Sequence, residues 1–146
     1  MSGRTTRKED NMEVIVRFLK ENPVQFLATI GLDGKPKVRP FHFMMEDDGK
    51  FWFCTSNRKD VYAELKNAPY VELSVASPEH TWLRLAGKVV FENNMAIKNR
   101  IMDECEMVRT VFRTADNPVF EVFYLEEAIA SVSNLTGSPA KKYHLV

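Results

Sequence analysis

A small antiparallel β-barrel with helices packed around it, mainly β with flanking α, is the architecture predicted for this chain of 146 residues. Three observations lead there. Two Asp-Gly dipeptides, Asp33-Gly34 and Asp48-Gly49, punctuate successive strand-like runs, a signal for hairpins. The runs flanking the second dipeptide are apolar on both faces: Phe41 and Phe43 oppose Pro40, His42 and Met44, while Phe51 and Phe53 oppose Trp52 and Cys54. Regular alternation of strand and helix, which would indicate a doubly wound parallel sheet, is missing. A barrel accounts for doubly apolar strands, because one face fills the interior and the other meets helices or a second subunit.

Over residues 9–21, Met12, Ile15, Phe18 and Leu19 recur at helical spacing, and Asn22-Pro23 supplies a stop. Strands follow over 24–30, 37–46 and 50–55, and the two turns between them predict an antiparallel meander. After Asn57, Val61, Tyr62 and Leu65 return to helical spacing, and Ala68-Pro69 ends this short helix before a strand over 70–75. Strand character resumes over 81–91, where Gly87 marks a bulge or the close approach of another group. Over 94–108, Ile97, Ile101, Cys105 and Val108 form one face of a second long helix, with Asn93 or Asn94 as its cap. A last strand runs over 120–125, with a resumption at 129–132. No repeat, linker or low-complexity stretch divides the chain, so residues 1–146 are expected to form one domain.

Lys+Arg 20 against Asp+Glu 20 gives no net charge, which argues against a protein that neutralises many phosphates along a nucleic acid. Any anion site must therefore be local. Hydrophobic content of 45% with 27% charged residues excludes the composition of a disordered chain. The polar, basic residues 1–10 lack the apolar stretch of a secretory signal, and no apolar run approaches the roughly 18 residues of a spanning helix, so neither export nor a membrane location is expected. Cys54 and Cys105 lie far apart without CxxC spacing, an arrangement expected of free thiols in a reducing cytoplasm.

The candidate chemistry gathers at one strand–helix junction. If the second and third strands pair through Asp48-Gly49, Arg39 lies toward the same open end as Thr55-Ser56-Asn57-Arg58-Lys59. Hydroxyl donors, free N–H groups at a helix start and three cations are what a phosphate monoester requires, and apolar strand faces beside them suit a flat aromatic ring. Phosphate anchor plus aromatic slot describes a mononucleotide cofactor site. The same residues also make an ordinary solvated turn with a strand arginine beside it. His42, His80 and His144 have no metal-ligand spacing, so no metal is expected; His42 reads as a strand residue beside the cofactor or in the core. Cys54 lacks the sequence cue of a catalytic base, and Cys105 lies on an apolar helix face; neither reads as a nucleophile.

Ala28-Thr29-Ile30, Asp33-Gly34-Lys35-Pro36, Val38-Arg39-Pro40, Phe51-Trp52-Phe53-Cys54-Thr55 with Arg58-Lys59, Asn67-Ala68-Pro69-Tyr70-Val71-Glu72-Leu73 and Gly87-Lys88-Val89, in that order and spacing, resemble the FMN-binding split barrels of the pyridoxamine 5′-phosphate oxidase superfamily. The resemblance implies an antiparallel split β-barrel and a cofactor-binding set of Arg39, Pro40, Phe41, Cys54, Thr55, Ser56, Arg58 and Lys59. In that set Arg39, Arg58 and Lys59, with the two hydroxyls, hold the FMN phosphate, and Pro40 and Phe41 run under the flavin. It further implies a homodimer with the flavin site at the subunit interface.

Departures narrow the activity. Met44 stands where the family's oxidase has a lysine, Trp82 lies near the position of a polar amide, and the tail 137–146 replaces an arginine- and histidine-bearing segment. These weigh against vitamin B6 oxidation and align the chain with the nitroimidazole-resistance and general-stress branches. The resemblance thus implies an FMN-dependent oxidoreductase passing electrons from NADH or NADPH to a small acceptor, with no protein residue assigned as acid, base or nucleophile. Its alternatives are a non-catalytic module for flavin, haem or a deazaflavin, and a pyridoxamine phosphate oxidase.

Overall fold

Residues 3–145 are described by the computed structural model, with side chains from residue 10 onward. In chain order the elements are α1 (Gly3–Glu21), β1 (Gln25–Ile30), β2 (Pro36–Phe41), β3 (Met45–Asp47), β4 (Lys50–Ser56), α2 (Asp60–Asn67), β5 (Tyr70–Ala76), β6 (Thr81–Phe91), α3 (Met95–Glu104), α4 (Glu106–Phe112), β7 (Phe120–Asn134) and β8 (Lys141–His144). Both Asp-Gly sites are turns. Asp48 and Gly49 both have positive φ, 52° and 75°, as a two-residue turn between β3 and β4 requires. Gly34 is also left-handed, at 78°, in the longer loop joining β1 to β2.

The strands form one antiparallel sheet in the order β2-β1-β5-β6-β7-β4-β3, with β8 paired to β7. The expected barrel does not form: this sheet is open, and β2 and β3 are its two ends. The expected meander fails at the same place, since the predicted strand 37–46 is two strands, β2 and β3, at opposite ends of the sheet. Residues 42–44 cross between them. There the backbone N–H of Phe43 donates to Gln25 Oε1 at 2.9 Å, and that of Met44 to the carbonyl of Trp52 at 3.0 Å. Gln25, 1% exposed, donates in turn through Nε2 to the carbonyls of Leu19 and Asn22 at 2.9 and 3.1 Å. One side chain thus joins α1, β1 and the crossing segment where a barrel would have a strand ladder.

Doubly apolar strands have a different explanation from the one expected. β4 sends Phe51 and Phe53 into a first core with Ile15 and Leu19 of α1, Val61 and Leu65 of α2, and Leu73, Leu85 and Phe123 of the sheet. Its other face sends Trp52 and Cys54 into a second core beneath Ile97, Ile101, Val108 and Phe112 of α3 and α4. Both faces are covered by packed layers, so no barrel interior is needed. Asn94, one of the two predicted caps, accepts from the Ile97 N–H at 3.1 Å. The predicted helix 94–108 breaks at Cys105, whose backbone is extended (φ −127°, ψ 105°). Arg109 reaches back across the break and donates to the carbonyls of Met102 and Asp103 at 2.6 and 2.8 Å, satisfying the end of α3.

The last strand is longer than expected. β7 runs unbroken for 15 residues and pairs β4 along its first part, β8 along its second, and β6 on its other edge. Its register with β6 shifts between Ala86 and Lys88, at the predicted Gly87 bulge. A Cβ on Gly87 would stand 3.0 Å from both the Glu126 carbonyl oxygen and Leu125 Cβ, the close approach that glycine permits. No helix among the described residues is long and apolar enough to cross a membrane.

Candidate functional site

A cavity of about 440 Å³ opens where β1 begins and where β2 and β4 end. Its walls come from Pro23 to Gln25, from Pro40 to His42 with Met44, from Cys54 and Thr55, and from the face of α4 that carries Met107 and Val111. Lys59 stands at its polar end. Among the described residues no carboxylate lines it.

The alternation of β4 determines what it presents here. Phe51, Phe53 and Thr55 share one face, so the apolar row facing the first core ends in a hydroxyl. Thr55 is 4% exposed, and its Oγ1 is buried without a hydrogen-bond partner. Leaving such a group unpaired costs about 1–3 kcal/mol, so an acceptor brought by a ligand would be favoured at this position. Past Thr55 the chain turns directly into α2. Lys59 is the N-cap of that helix and no side chain caps it, which leaves the positive end of the helix beside the lysine. Ser56 Oγ accepts from the Arg58 N–H at 3.2 Å, holding the turn.

The other end of the cavity is apolar. Val24, Met44, Met107, Val111 and Phe112 contribute no charge there; the polar side chains beside them are Gln25 and His42, the latter with Nδ1 3.2 Å from the Pro23 carbonyl oxygen. A carbonyl can only accept, so Nδ1 carries the proton. Burial pushes the Cys54 thiol up to about 12; the neighbouring Cys105 thiol adds to this and Lys59 opposes it. Cys54 is therefore a neutral wall residue across the ordinary pH range. It is half-buried, and both cysteines are free.

Of the residues singled out from the sequence, Pro40, Phe41, Cys54, Thr55 and Lys59 meet at this cavity. Ser56 and Arg58 lie beside it on the turn, with Arg58 exposed. Arg39 turns elsewhere. Its guanidinium donates to Glu64 Oε1 at 2.6 Å, to Thr29 Oγ1 at 2.7 Å and to the Leu27 carbonyl at 3.3 Å. The predicted convergence of three cations is thus replaced by one lysine at the cavity, one arginine on the turn and one half-buried arginine paired with the buried Glu64.

Sequence reasoning missed Gln25, Glu64 and the α4 wall. Glu64 carried a signal. It shares the buried face of α2 with Val61 and Leu65, and a carboxylate on an apolar stripe implies a buried partner. Gln25 and α4 carried none, because their roles depend on the crossing segment and on the break at Cys105.

A family model described as pyridoxamine 5′-phosphate oxidase matches residues 12–123. A comparison with curated protein sequences finds no match. Among solved structures, a NimC/NimA family protein from Clostridium acetobutylicum superposes with a TM-score of 0.83 at 26% identity, over 92% of each chain. General stress protein 26 from Bacillus anthracis superposes with a TM-score of 0.74 at 15% identity, over 92% of this chain and 98% of its own. A pyridoxamine 5′-phosphate oxidase-related, FMN-binding protein from Nostoc punctiforme gives 0.64 at 17% identity, over 99% of this chain and 92% of its own. At their identities the last two speak for the fold alone. The general-stress and Nim-type branches expected from the sequence are both represented.

Proposed function

Because the chain belongs to the pyridoxamine 5′-phosphate oxidase family, we propose that its cavity binds FMN and that the protein is an oxidoreductase passing electrons from NADH or NADPH to a small acceptor. The observation that carries this reading is the orphaned Thr55 Oγ1 beside Lys59 and the uncapped start of α2. Together they offer a hydroxyl, an ammonium and helix N–H groups to one phosphate, with no carboxylate lining the cavity to repel it. Pro40 and Phe41 on one side and Met107 and Val111 on the other form an apolar slot that holds the ring and excludes water. When bound, the flavin supplies the electron transfer; the chain supplies anchor, orientation and a dry wall. Met44, in place of the oxidase lysine, leaves that part of the wall uncharged.

The same reading includes a homodimer. Pro36, Val38 and Pro40 on the end strand β2, with Phe26 and Ile30 of β1, form an exposed apolar face. Pro40 also lines the cavity, so a second copy seated on this face would complete the cavity's open side.

Titration of the purified protein with FMN and with riboflavin tests the anchor. FMN is expected to bind more tightly, and Lys59→Ala to weaken FMN alone by about 1.5–3 kcal/mol. Equal affinity for the two flavins would sink the phosphate assignment. Anaerobic mixing of the flavin-loaded protein with NADH or NADPH tests turnover: bleaching is expected with at least one, and none with either would leave a binding module.

A further inference from the structure

The predicted phosphate-binding arginine is engaged elsewhere, and its partner lies on the helix that carries the anchor. Glu64 sits one turn into α2 and is 6% exposed. Its Oε1 accepts from Arg39 Nη2 at 2.6 Å and from Thr29 Oγ1 at 2.7 Å, while Arg39 Nη1 donates to the same Thr29 hydroxyl at 2.7 Å. The three groups close a triangle joining α2 to β1 and β2. A buried carboxylate held this way cannot shift without leaving its own charge and that of Arg39 unpaired. α2 therefore has one position against the sheet. That position determines where its first residues lie, with Lys59 as N-cap at the polar end of the cavity and the buried, unpartnered Thr55 Oγ1 beside it.

On the premise that the cavity takes FMN, we propose that Arg39 and Glu64 are a positioning pair: they do not touch the phosphate, but hold α2 so that Lys59 and the helix start meet it. The charge of Arg39 is compensated inside the protein, and Lys59 is the cation the ligand meets. This differs from a direct role in a measurable way. If Arg39 contacted phosphate, its charge would be needed; if it only positions α2, any pair that packs the same space will serve.

The test compares FMN with riboflavin on full-length variants by fluorescence titration. Glu64→Ala and Arg39→Met are each expected to weaken FMN by about tenfold or more, because the first leaves the half-buried Arg39 guanidinium and the second the buried Glu64 carboxylate without its partner, while riboflavin affinity stays within about twofold. The double variant Arg39→Met/Glu64→Leu, which replaces the pair with apolar side chains, is expected to recover most of the FMN affinity. Thr29→Val, which removes a hydroxyl and no charge, covers the case in which a charge variant fails to fold; its FMN affinity should fall by a few-fold without a change for riboflavin. A double variant as weak for FMN as Arg39→Met alone would overturn the proposal in favour of direct contact. So would tighter FMN binding by Glu64→Gln, since that would mean a freed Arg39 reaches the phosphate. Equal losses for FMN and riboflavin, or no loss in Thr29→Val, would overturn it as well. Failure of the wild-type protein to prefer FMN would instead sink the phosphate reading itself.

Discussion

On β4, Cys54 packs against the second core and also faces the cavity. An unfolded thiol ionises near 9.0, whereas burial, with Cys105 adding, pushes the folded one up to about 12. Between those values the folded chain keeps a proton that the unfolded chain has lost. The contribution of Cys54 to stability is therefore fully present below about pH 9 and is lost as pH rises toward about 12. Alkylation of Cys54 by iodoacetamide should stay slow at pH 8 and accelerate only in strong alkali; labelling at pH 8 as fast as in the denatured chain would contradict this burial. The placement of the neighbouring Thr55 and Lys59 was legible in the sequence, because alternation along 50–55 puts Thr55 in the same row as Phe51 and Phe53, and the helix signal after Asn57 puts Lys59 at its start. Arg39 was legible as a nearby cation but its ion pair was not, since its partner Glu64 lies 25 residues away and meets it only once α2 packs on β1.

Among the elements, turns and glycines were the most legible features, because their backbone demands are local. Asp48-Gly49 and Gly87 lie where the sequence places them, as a two-residue turn and a bulge. Gly87→Ala should cost about 1–3 kcal/mol, since the added methyl meets a backbone oxygen and a Cβ at 3.0 Å. Urea unfolding measures this, and an unchanged midpoint would mean that the bulge relaxes freely. The break between α3 and α4 was not legible. Neither glycine nor proline marks it, the apolar spacing of Ile97, Ile101, Cys105 and Val108 runs straight through it, and the Arg109 guanidinium that satisfies the broken end is supplied from the following helix. β8 was hidden for a different reason. It offers Tyr143 as its one buried side chain, too little pattern to read, and depends on the edge of β7 beyond the stretch that β4 pairs.

For the molecule as a whole, antiparallel pairing and flanking helices followed from the sequence, but closure did not. Strands apolar on both faces fit either a barrel wall or a sheet between two cores, and only the path of residues 42–44 separates the two. The exposed face of β1 and β2 carries the corresponding prediction about assembly. Val38 is 68% exposed in the single chain, so Val38→Lys should leave folding nearly unchanged. Light scattering should nevertheless show a dimer for the wild type and a monomer for the variant, with weaker FMN binding in the latter. A variant that stays dimeric would move the interface to another face.

The seam between β1 and the crossing segment has a consequence for which side chain can stand at position 25. Gln25 lines the cavity while its amide spans the seam, with a carbonyl acceptor for Phe43 at one edge and a donor to two helix-end carbonyls at the other. The gap is therefore gauged by the length of one glutamine. Asparagine would be a methylene too short to reach, and glutamate would turn a lone pair toward carbonyls that need a proton. The crossing segment is thus tied to the end of α1 by two methylenes and an amide, not by a strand ladder.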